Sequence, residues 1–214
     1  MTRITVLGAT GYGGAPVVRE AARRGHTVTA YSRRAPEQPA DGVTYKTQSV
    51  LDPGVLDEVV RNADVVFVAL SPRGDMAGRV EGVVDDLISR ASAAGVRVGV
   101  LGGASSLLVA PGGPRLYDAF PPPPEFAPEV ETGMAILQTL REAPAELDWF
   151  YVSPPRDFVS FAPVPPTGTY RLSDDVLLVD EQGGSNISAD DLAIAVIDEV
   201  EQPRHRRRRF HVAR

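Results

Sequence analysis

The feature that most constrains this fold is a glycine-rich turn between an apolar run and a helical pattern. Residues 4–7 read ITVL, apolar apart from Thr5, and residues 8–14 read GATGYGG before the helical pattern begins. Gly8 permits a tight turn, Gly11 lets the backbone approach a phosphate, and Gly14 lets the helix pack on the strand. The helix would then present free N–H groups and its positive dipole end to an anion. The predicted contacts of a dinucleotide pyrophosphate are Gly8, Thr10, Gly11, Tyr12, Gly13 and Gly14; an ordinary strand-to-helix turn is the alternative.

The composition excludes several other classes of protein. The chain of 214 residues is long enough for one α/β domain, and it contains no apolar run of the roughly 18 residues that a membrane helix needs. It has no cysteine and three scattered histidines, so we predict neither disulfides nor a metal site. A net charge of −6 makes nucleic acid an unexpected partner. A strand that begins by residue 3 leaves no room for a signal peptide, so we expect a cytoplasmic protein.

Apolar runs and helical patterns alternate along the chain, which predicts a single doubly wound Rossmann domain over residues 1–214 with a mostly parallel sheet. The predicted strands are 4–7, 26–31, 43–50, 64–70, 96–101, 147–152 and 209–212, and the predicted helices are 15–24, 52–62, 75–94, 128–143 and 187–201. The helix at 52 would have Asp52 as its N-cap.

The remaining segments predict loops around the site and a small irregular C-terminal portion. Residues 111–128 are rich in proline and are interpreted as a lid, or equally as a passive surface loop. Residues 154–186 would form a substrate-side loop with a ribbon of two strands, 169–172 and 176–179. The arginine run 206–209 is interpreted as a solvated edge.

The end of the second strand bears on cofactor choice. Ser32, Arg33 and Arg34 follow this strand, and no acid occurs before Glu37. NAD sites place an acid here for the ribose 2′-hydroxyl, whereas NADP sites place basic groups for the 2′-phosphate. Arginine suits a phosphate because its planar fork donates two hydrogen bonds. NADP(H) is therefore the favoured cofactor, with simple solvent-exposed arginines as the alternative. The end of the fourth strand should contribute the cofactor contacts Ala69, Leu70 and Ser71.

The loop GATGYGG resembles the phosphate loop of the extended and atypical short-chain dehydrogenase/reductases. Most members of that family pair a tyrosine with a lysine four residues later to donate a proton. The only lysine here is Lys46, on the third predicted strand, and Tyr117 is followed four residues later by Pro121. The usual tyrosine–lysine relay is therefore absent.

Further motifs resemble the small atypical branch that includes NmrA-like proteins and NADPH-dependent flavin and biliverdin-IXβ reductases. The motifs are the two arginines after strand two and the segments 104–108, 153–155, 167–170 and 187–192. The resemblance implies cofactor contacts at Ser49, Val50, Ser105, Ser153, Pro154 and Pro155. Two positions depart from the branch: Ser49 stands where many relatives have an adenine-binding aspartate, and Arg156 stands where flavin reductases have a histidine.

The function implied is that of an NADPH-dependent reductase acting on a small conjugated acceptor, such as a flavin, quinone or enone. Ser105, with Ser106 as its competitor, matches the family's active-site serine and would bind the nicotinamide carboxamide or the acceptor oxygen. Arg156 would stabilise developing negative charge. Structural roles for all three residues remain open. One alternative is an NADP(H) redox sensor acting through a protein partner; a sugar-nucleotide epimerase or dehydratase is disfavoured by the missing tyrosine–lysine pair. We expect a monomer or homodimer.

Overall fold

The computed structural model describes residues 1–214 and contains one eight-stranded sheet in the order β3-β2-β1-β4-β5-β6-β8-β7. The strands are β1 Arg3–Leu7, β2 Thr27–Ser32, β3 Val43–Thr47, β4 Val65–Val68, β5 Arg97–Leu101, β6 Trp149–Ser153, β7 Arg171–Ser173 and β8 Arg208–Ala213. The helices are α1 Gly14–Arg23, α2 Val55–Arg61, α3 Val80–Ala94, α4 Leu116–Ala119, α5 Ala127–Glu142 and α6 Ala189–Glu201. Every strand pairing is parallel except that of β7 with β8.

The predicted doubly wound Rossmann fold is confirmed. The strand order reverses between β1 and β4, and this switch point is where ligands bind in such sheets. Helices α1 and α6 cover one face of the sheet, and α2, α3 and α5 cover the other. All four residues of β4 are buried, as a strand covered on both faces requires. No helix has the length and apolarity needed to cross a bilayer.

Two predicted helix starts are wrong. Helix α2 begins at Val55 rather than at Asp52, because Gly54 is left-handed with φ of 80° and ends the preceding turn. The Asp52 carboxylate instead accepts a hydrogen bond from the N–H of Ser49 at 3.1 Å. Helix α3 begins at Val80, after a separate 3-10 turn at Gly74–Met76. By contrast, α6 begins at Ala189, within two residues of the predicted start, and the Ser188 hydroxyl caps it by accepting from the N–H of Asp191 at 2.9 Å.

Two predictions for the C-terminal portion are also wrong. The segments 169–172 and 176–179 do not form a ribbon, because β7 pairs with β8 and Val176 makes only an isolated bridge to Leu108. The run 206–209 is not uniformly solvated, since Arg209 is 7% exposed and forms an ion pair with Asp175. Strand β8 is an inner strand between β6 and β7, and all of its residues after Arg208 are buried.

Candidate functional site

The phosphate loop is shaped by close backbone contacts at two glycines. Gly8 has φ of 83°, and a Cβ there would lie 2.4 Å from the Ala69 carbonyl oxygen. A Cβ on Gly14 would lie 2.3 Å from the Gly8 carbonyl oxygen, so only glycine lets α1 pack this closely on β1. A Cβ on Gly11 would meet that same oxygen at 3.3 Å, and Gly11 is otherwise exposed. Gly8 and Gly14 therefore fix the turn, while Gly11 leaves its outer surface open.

The loop also presents unpaired backbone donors at the start of α1. The N–H groups of Tyr12, Gly13 and Gly14 donate to no acceptor within the protein, and neither does that of Thr10. The N–H of Gly11 is used within the turn, donating to the Gly8 carbonyl at 3.0 Å. Free N–H groups at a helix N-terminus favour an anion both by hydrogen bonding and through the helix dipole. The loop thus has the donors that a pyrophosphate needs.

The three residues after β2 are placed differently from one another. Ser32 is buried, and its hydroxyl donates to the Arg34 carbonyl at 2.6 Å, which holds the turn. The Arg34 side chain is exposed and pairs with no other side chain. Arg33 forms an ion pair with Asp75, which lies in the 3-10 turn after β4. Asp75 is thus a carboxylate beside the predicted 2′-phosphate site, and the sequence analysis missed it.

The residues after β3 and β4 lie at the same end of the sheet as the phosphate loop. Ser49 accepts a hydrogen bond from the N–H of Leu51 at 3.2 Å, and Val50 is buried in the core. Ala69 and Leu70 are half-buried and Ser71 is exposed, directly after β4. These positions lie at the carboxyl ends of the strands, as predicted for cofactor contacts; the contacts themselves stay a prediction.

The two candidate serines after β5 differ in their hydrogen bonding. The Ser106 hydroxyl accepts from Arg209 at 2.7 Å, so it is held in a structural contact. The Ser105 hydroxyl is half-buried and has no partner within the protein, although its carbonyl accepts from the N–H of Tyr117 at 2.9 Å. Ser105 therefore has the free hydroxyl of the two.

The residues at the end of β6, which were predicted to contact the cofactor, are buried. Ser153 is fully buried, and Pro154 and Pro155 are buried after it, so the Ser153 side chain does not reach the protein surface. His211, beside it on β8, donates from Nδ1 to the Ser153 carbonyl at 2.8 Å. Burial lowers the pKa of His211 to about 4, which keeps the imidazole neutral. The His211 Nε2 and the Ser153 hydroxyl have no partner.

Arg156 is bound to its own loop. Its guanidinium donates to both carboxylate oxygens of Asp157 at 3.0 Å and to the Gly183 carbonyl at 3.0 Å. The hydrogen bond to Asp157 raises the pKa of Arg156, so the residue stays charged. An arginine held this way would need to leave these partners to reach an acceptor, and its catalytic role stays a prediction.

Two aromatic rings link the phosphate loop to the segment after β6. The rings of Tyr12 and Phe158 lie 4.8 Å apart between centroids. Behind Tyr12, a cleft of about 380 Å³ extends between the start of α1 and the start of α6. The cleft is lined by Thr10, Tyr12, Arg19, Pro163, Ser188 and Asp190, among others.

The proline-rich segment 111–128 is attached to the site side of the sheet. Its helix α4 is tied to the loop after β5, since the N–H of Leu116 donates to the Leu107 carbonyl at 2.7 Å. Two of its aromatic side chains, Phe120 and Phe126, are exposed. Arg73 lies over the Phe126 ring at 6.0 Å. The segment therefore borders the predicted site; its action as a lid stays a prediction.

The tyrosines and the lysine of the sheet do not form the usual proton relay. Lys46 is 3.3 Å from Glu58 and pairs in register with Tyr31 on β2, and burial raises the pKa of Tyr31 to about 12. Burial raises the pKa of Tyr151 to about 12, and its hydroxyl donates to the Gly133 carbonyl at 2.9 Å. Burial likewise raises the pKa of Tyr12. No group of three or more acidic or histidine side chains is placed to hold a metal ion.

Comparison with known proteins agrees with the geometry of the phosphate loop. The "NAD(P)H-binding" family matches residues 8–203. A "putative exported protein" from Burkholderia pseudomallei is 38% identical with a TM-score of 0.85, and 100% of each chain is covered. A "putative epimerase" from Bacteroides thetaiotaomicron is 34% identical with a TM-score of 0.86, covering 99% of this chain and 96% of that one. A "putative NADH-flavin reductase" from Streptococcus pneumoniae is 28% identical with a TM-score of 0.83, covering 100% of this chain and 99% of that one. The chain belongs to the NAD(P)H-binding family, within the atypical short-chain dehydrogenase/reductases.

Proposed function

We propose that this protein is an NADPH-dependent reductase of a small, planar conjugated acceptor. The observation that carries the proposal is the free hydroxyl of Ser105 at the same strand edge as the three unpaired N–H groups of residues 12–14. These N–H groups would hold the pyrophosphate of the cofactor, which supplies a hydride when bound. Ser105 would donate a hydrogen bond to the nicotinamide carboxamide or to the acceptor oxygen.

The lack of a proton donor narrows the class of acceptor. Reducing a simple ketone needs a positioned acid, which the tyrosine–lysine pair supplies in most short-chain dehydrogenases. A flavin, quinone or enone spreads the negative charge that arrives with the hydride, so water can deliver the proton afterwards. Tyr151, the tyrosine under the loop after β5, stays protonated and donates its hydrogen bond to Gly133. Conjugated acceptors therefore suit this site best. The name of the Streptococcus pneumoniae relative supports the same class.

The preference for NADPH rests on Arg33 and Arg34. Arg34 is free to bind a phosphate, whereas Arg33 must first leave Asp75. A charge-assisted hydrogen bond contributes about 1.5–3 kcal/mol, which is roughly tenfold or more in affinity. We expect NADPH to bind more tightly than NADH, and Arg34→Ala to weaken NADPH binding about tenfold with little change for NADH. Arg208→Ala, an exposed arginine at the opposite edge of the sheet, is the matched control. Equal affinities for the two cofactors in the wild type would contradict the preference.

Turnover decides between the candidate activities. The wild type is mixed with NADPH and a panel of flavins, quinones and enones, and cofactor oxidation is followed at its absorbance maximum. Oxidation above background supports the reductase. Conversion of a nucleotide sugar without net cofactor oxidation would indicate an epimerase instead, as the name of the Bacteroides relative suggests. Cofactor binding that promotes a protein complex without turnover would indicate a redox sensor.

A further inference from the structure

We infer that Asp75 reduces the preference of this protein for NADPH by competing with the 2′-phosphate of NADP(H) for Arg33. The inference rests on the proposed function, because it concerns the cofactor that the reductase would use. Its basis is the ion pair between Arg33, after β2, and Asp75, after β4. Strands β2 and β4 lie on either side of β1 in the sheet. The pair therefore spans the carboxyl end of β1, where the phosphate loop begins.

The turn that contains Asp75 is held to the protein at the next residue. Met76 is 4% exposed and packs in the hydrophobic core, which fixes the backbone of the 3-10 turn after β4. On the other side of Asp75, the Nε of Arg73 donates to Glu129 on α5 at 2.6 Å, although the Arg73 side chain is largely exposed. The buried Met76 therefore keeps the backbone of Asp75 close to the end of β4, and we expect the carboxylate to stay near Arg33 when a cofactor binds.

The partner in this ion pair is free to move. The Arg33 side chain is 57% exposed, and that of Asp75 is 58% exposed, so water screens the pair and the interaction is weak. A phosphate carries more charge than a carboxylate and accepts a bidentate hydrogen bond from guanidinium, so it can take Arg33 from Asp75. The released carboxylate then lies near the 2′-phosphate, and the two like charges repel. NADH carries only a hydroxyl at this position and does not meet this repulsion.

The consequence is a selective effect on one cofactor. Asp75 lowers the affinity for NADPH and leaves that for NADH nearly unchanged, so the preference is smaller than two arginines alone would give. Asp75 is a specificity-determining residue that acts on the 2′ position without touching the nicotinamide. If the Asp75 carboxylate instead held the adenosine of a bound cofactor, its removal would lower the affinity for both NADPH and NADH.

The test is the affinity of Asp75→Asn for NADPH and for NADH, measured by calorimetry at low ionic strength. NADPH affinity should rise about two- to fivefold, as expected for one screened charge pair, while NADH affinity stays within about 1.5-fold. Asp85→Asn removes an equal charge from an exposed position on α3 and should change neither affinity. The gain for NADPH should shrink at high salt because the repulsion is screened.

A double-mutant cycle assigns the effect to Arg33. In an Arg33→Ala background, only the repulsion by Asp75 remains, so Asp75→Asn should give a smaller gain than in the wild type. Unchanged NADPH affinity in Asp75→Asn, or weaker binding of both cofactors, would overturn the inference. If Arg33→Ala or Arg34→Ala still weakens NADPH in that case, the NADPH proposal survives alone. Binding of neither cofactor by the wild type would overturn both.

Discussion

Charged and polar groups are arranged differently at the two ends of the parallel strands, called here the amino-terminal and carboxyl-terminal edges of the sheet. At the amino-terminal edge, Arg97 opens β5 with a buried guanidinium that donates to Glu199 on α6 at 2.6 Å. At the carboxyl-terminal edge, the Ser105 hydroxyl and the N–H groups that start α1 are left unpaired, and Arg33 makes only an exposed ion pair. The first edge thus contains a buried ion pair with partners inside the protein, and the second keeps polar groups available.

The buried group at the amino-terminal edge is well supplied with partners. His205 lies 2.7 Å from the second oxygen of Glu199, and the N–H groups of Arg204 and His205 also donate to this carboxylate. Burial opposes ionisation of Glu199, but the hydrogen bonds from His205 and Arg97 outweigh it and lower the pKa to about 2. Arg97 also lies 4.5 Å above the Phe150 ring. A buried charge with this many partners resists any rearrangement of α6 against the sheet.

This contrast indicates which edge of the sheet is available for binding a ligand and which contributes to stability. In doubly wound sheets, ligands bind outside the carboxyl ends of the strands, so that edge must keep unsatisfied donors for them. The amino-terminal edge has no such requirement, and its polar groups can be satisfied within the protein. Substitutions at the carboxyl-terminal edge should therefore alter cofactor binding at nearly constant stability. Substitutions at the amino-terminal edge should alter stability at nearly constant cofactor binding. The following predictions test this separation.

The largest effect is expected from Arg97→Met. The substitution leaves the Glu199 carboxylate buried without its main cation, and removing one partner of a buried ion pair costs about 3–5 kcal/mol of unfolding free energy. The measurement is urea denaturation at pH 7, with NADPH affinity measured at a temperature where the variant is folded. NADPH affinity should not change.

Arg3→Met is the matched control at the same edge. Arg3 pairs with Asp64 at 2.6 Å, but both side chains are about half exposed, so little stability should be lost. A loss for Arg97→Met no greater than that for Arg3→Met would show that the buried pair is not a stabilising feature of this edge.

The next largest effect is expected in the pH dependence of stability, because His211 and Glu199 lie near different edges and titrate in different pH ranges. His211, beneath the carboxyl-terminal edge, has a folded pKa of about 4 against 6.5 unfolded, so its neutral form stabilises the native state above pH 6.5. That contribution, about 3 kcal/mol, is lost as the pH falls from 6.5 towards 4. Glu199 is ionised in the native state, so its contribution is present above pH 4.5 and is lost between 4.5 and 2.

Unfolding free energies measured from pH 7 to pH 3 check this order. His211→Gln should flatten the profile between pH 6.5 and 4 and leave the loss that Glu199 causes below pH 4.5. An unchanged slope in that variant would mean that His211 does not titrate as its burial requires.

Gly11→Val tests the carboxyl-terminal edge directly. The valine side chain would stand where the pyrophosphate must approach, so NADPH affinity should fall at least about 100-fold. Stability should change little, because a Cβ on Gly11 would meet the Gly8 carbonyl oxygen at 3.3 Å and the Ala69 carbonyl oxygen only at 3.9 Å. Fluorescence titration and a thermal melt are the two measurements.

Gly14→Val is the informative comparison. A Cβ there would lie 2.3 Å from the Gly8 carbonyl, so this variant should lose stability as well as binding. Wild-type affinity in a folded Gly11→Val protein would place the cofactor away from this loop.

Much of this division was predictable from sequence because it depends on local patterns. The alternation of apolar runs and helical patterns predicted the parallel sheet, the glycine spacing predicted the phosphate loop, and the helical pattern from residue 187 placed the start of α6 to within two residues. Each of these signals lies within a few residues of the structure that it specifies. The start of α2 was misplaced because aspartate and proline are compatible with both a turn and a helix start. The left-handed Gly54 leaves Asp52 in the turn, so the helix begins at Val55.

The parts that failed depend on contacts between distant segments. Asp75 contacts Arg33 only because β2 and β4 flank β1. The local sequence around either residue does not indicate that the two form an ion pair. Ser153 is buried because β8 lies beside β6, and Arg209 is buried because β7 covers the outer edge of β8. The same pairing replaced the expected ribbon. Side-chain availability at the site therefore had to come from the structure.

The smallest effect is expected from Ser105→Ala, and it depends on the hydroxyl being free. Removing a hydroxyl that hydrogen-bonds a reacting group only in the transition state costs about 1–1.5 kcal/mol, which is about tenfold in kcat/KM. NADPH affinity should stay within about twofold, since the pyrophosphate and 2′-phosphate contacts are unaffected. The assay is steady-state kinetics with the best acceptor of the panel.

Ser106→Ala is the control that the structure provides one residue away. Its hydroxyl accepts from Arg209, which also pairs with Asp175, so its removal should lower the unfolding free energy and leave kcat/KM close to wild type. The two serines thus repeat the contrast between the two edges within one loop, because one hydroxyl is bound within the protein and the other is free. A loss of kcat/KM in Ser106→Ala with none in Ser105→Ala would reverse the assignment, and equal losses in stability alone would leave no serine for the acceptor.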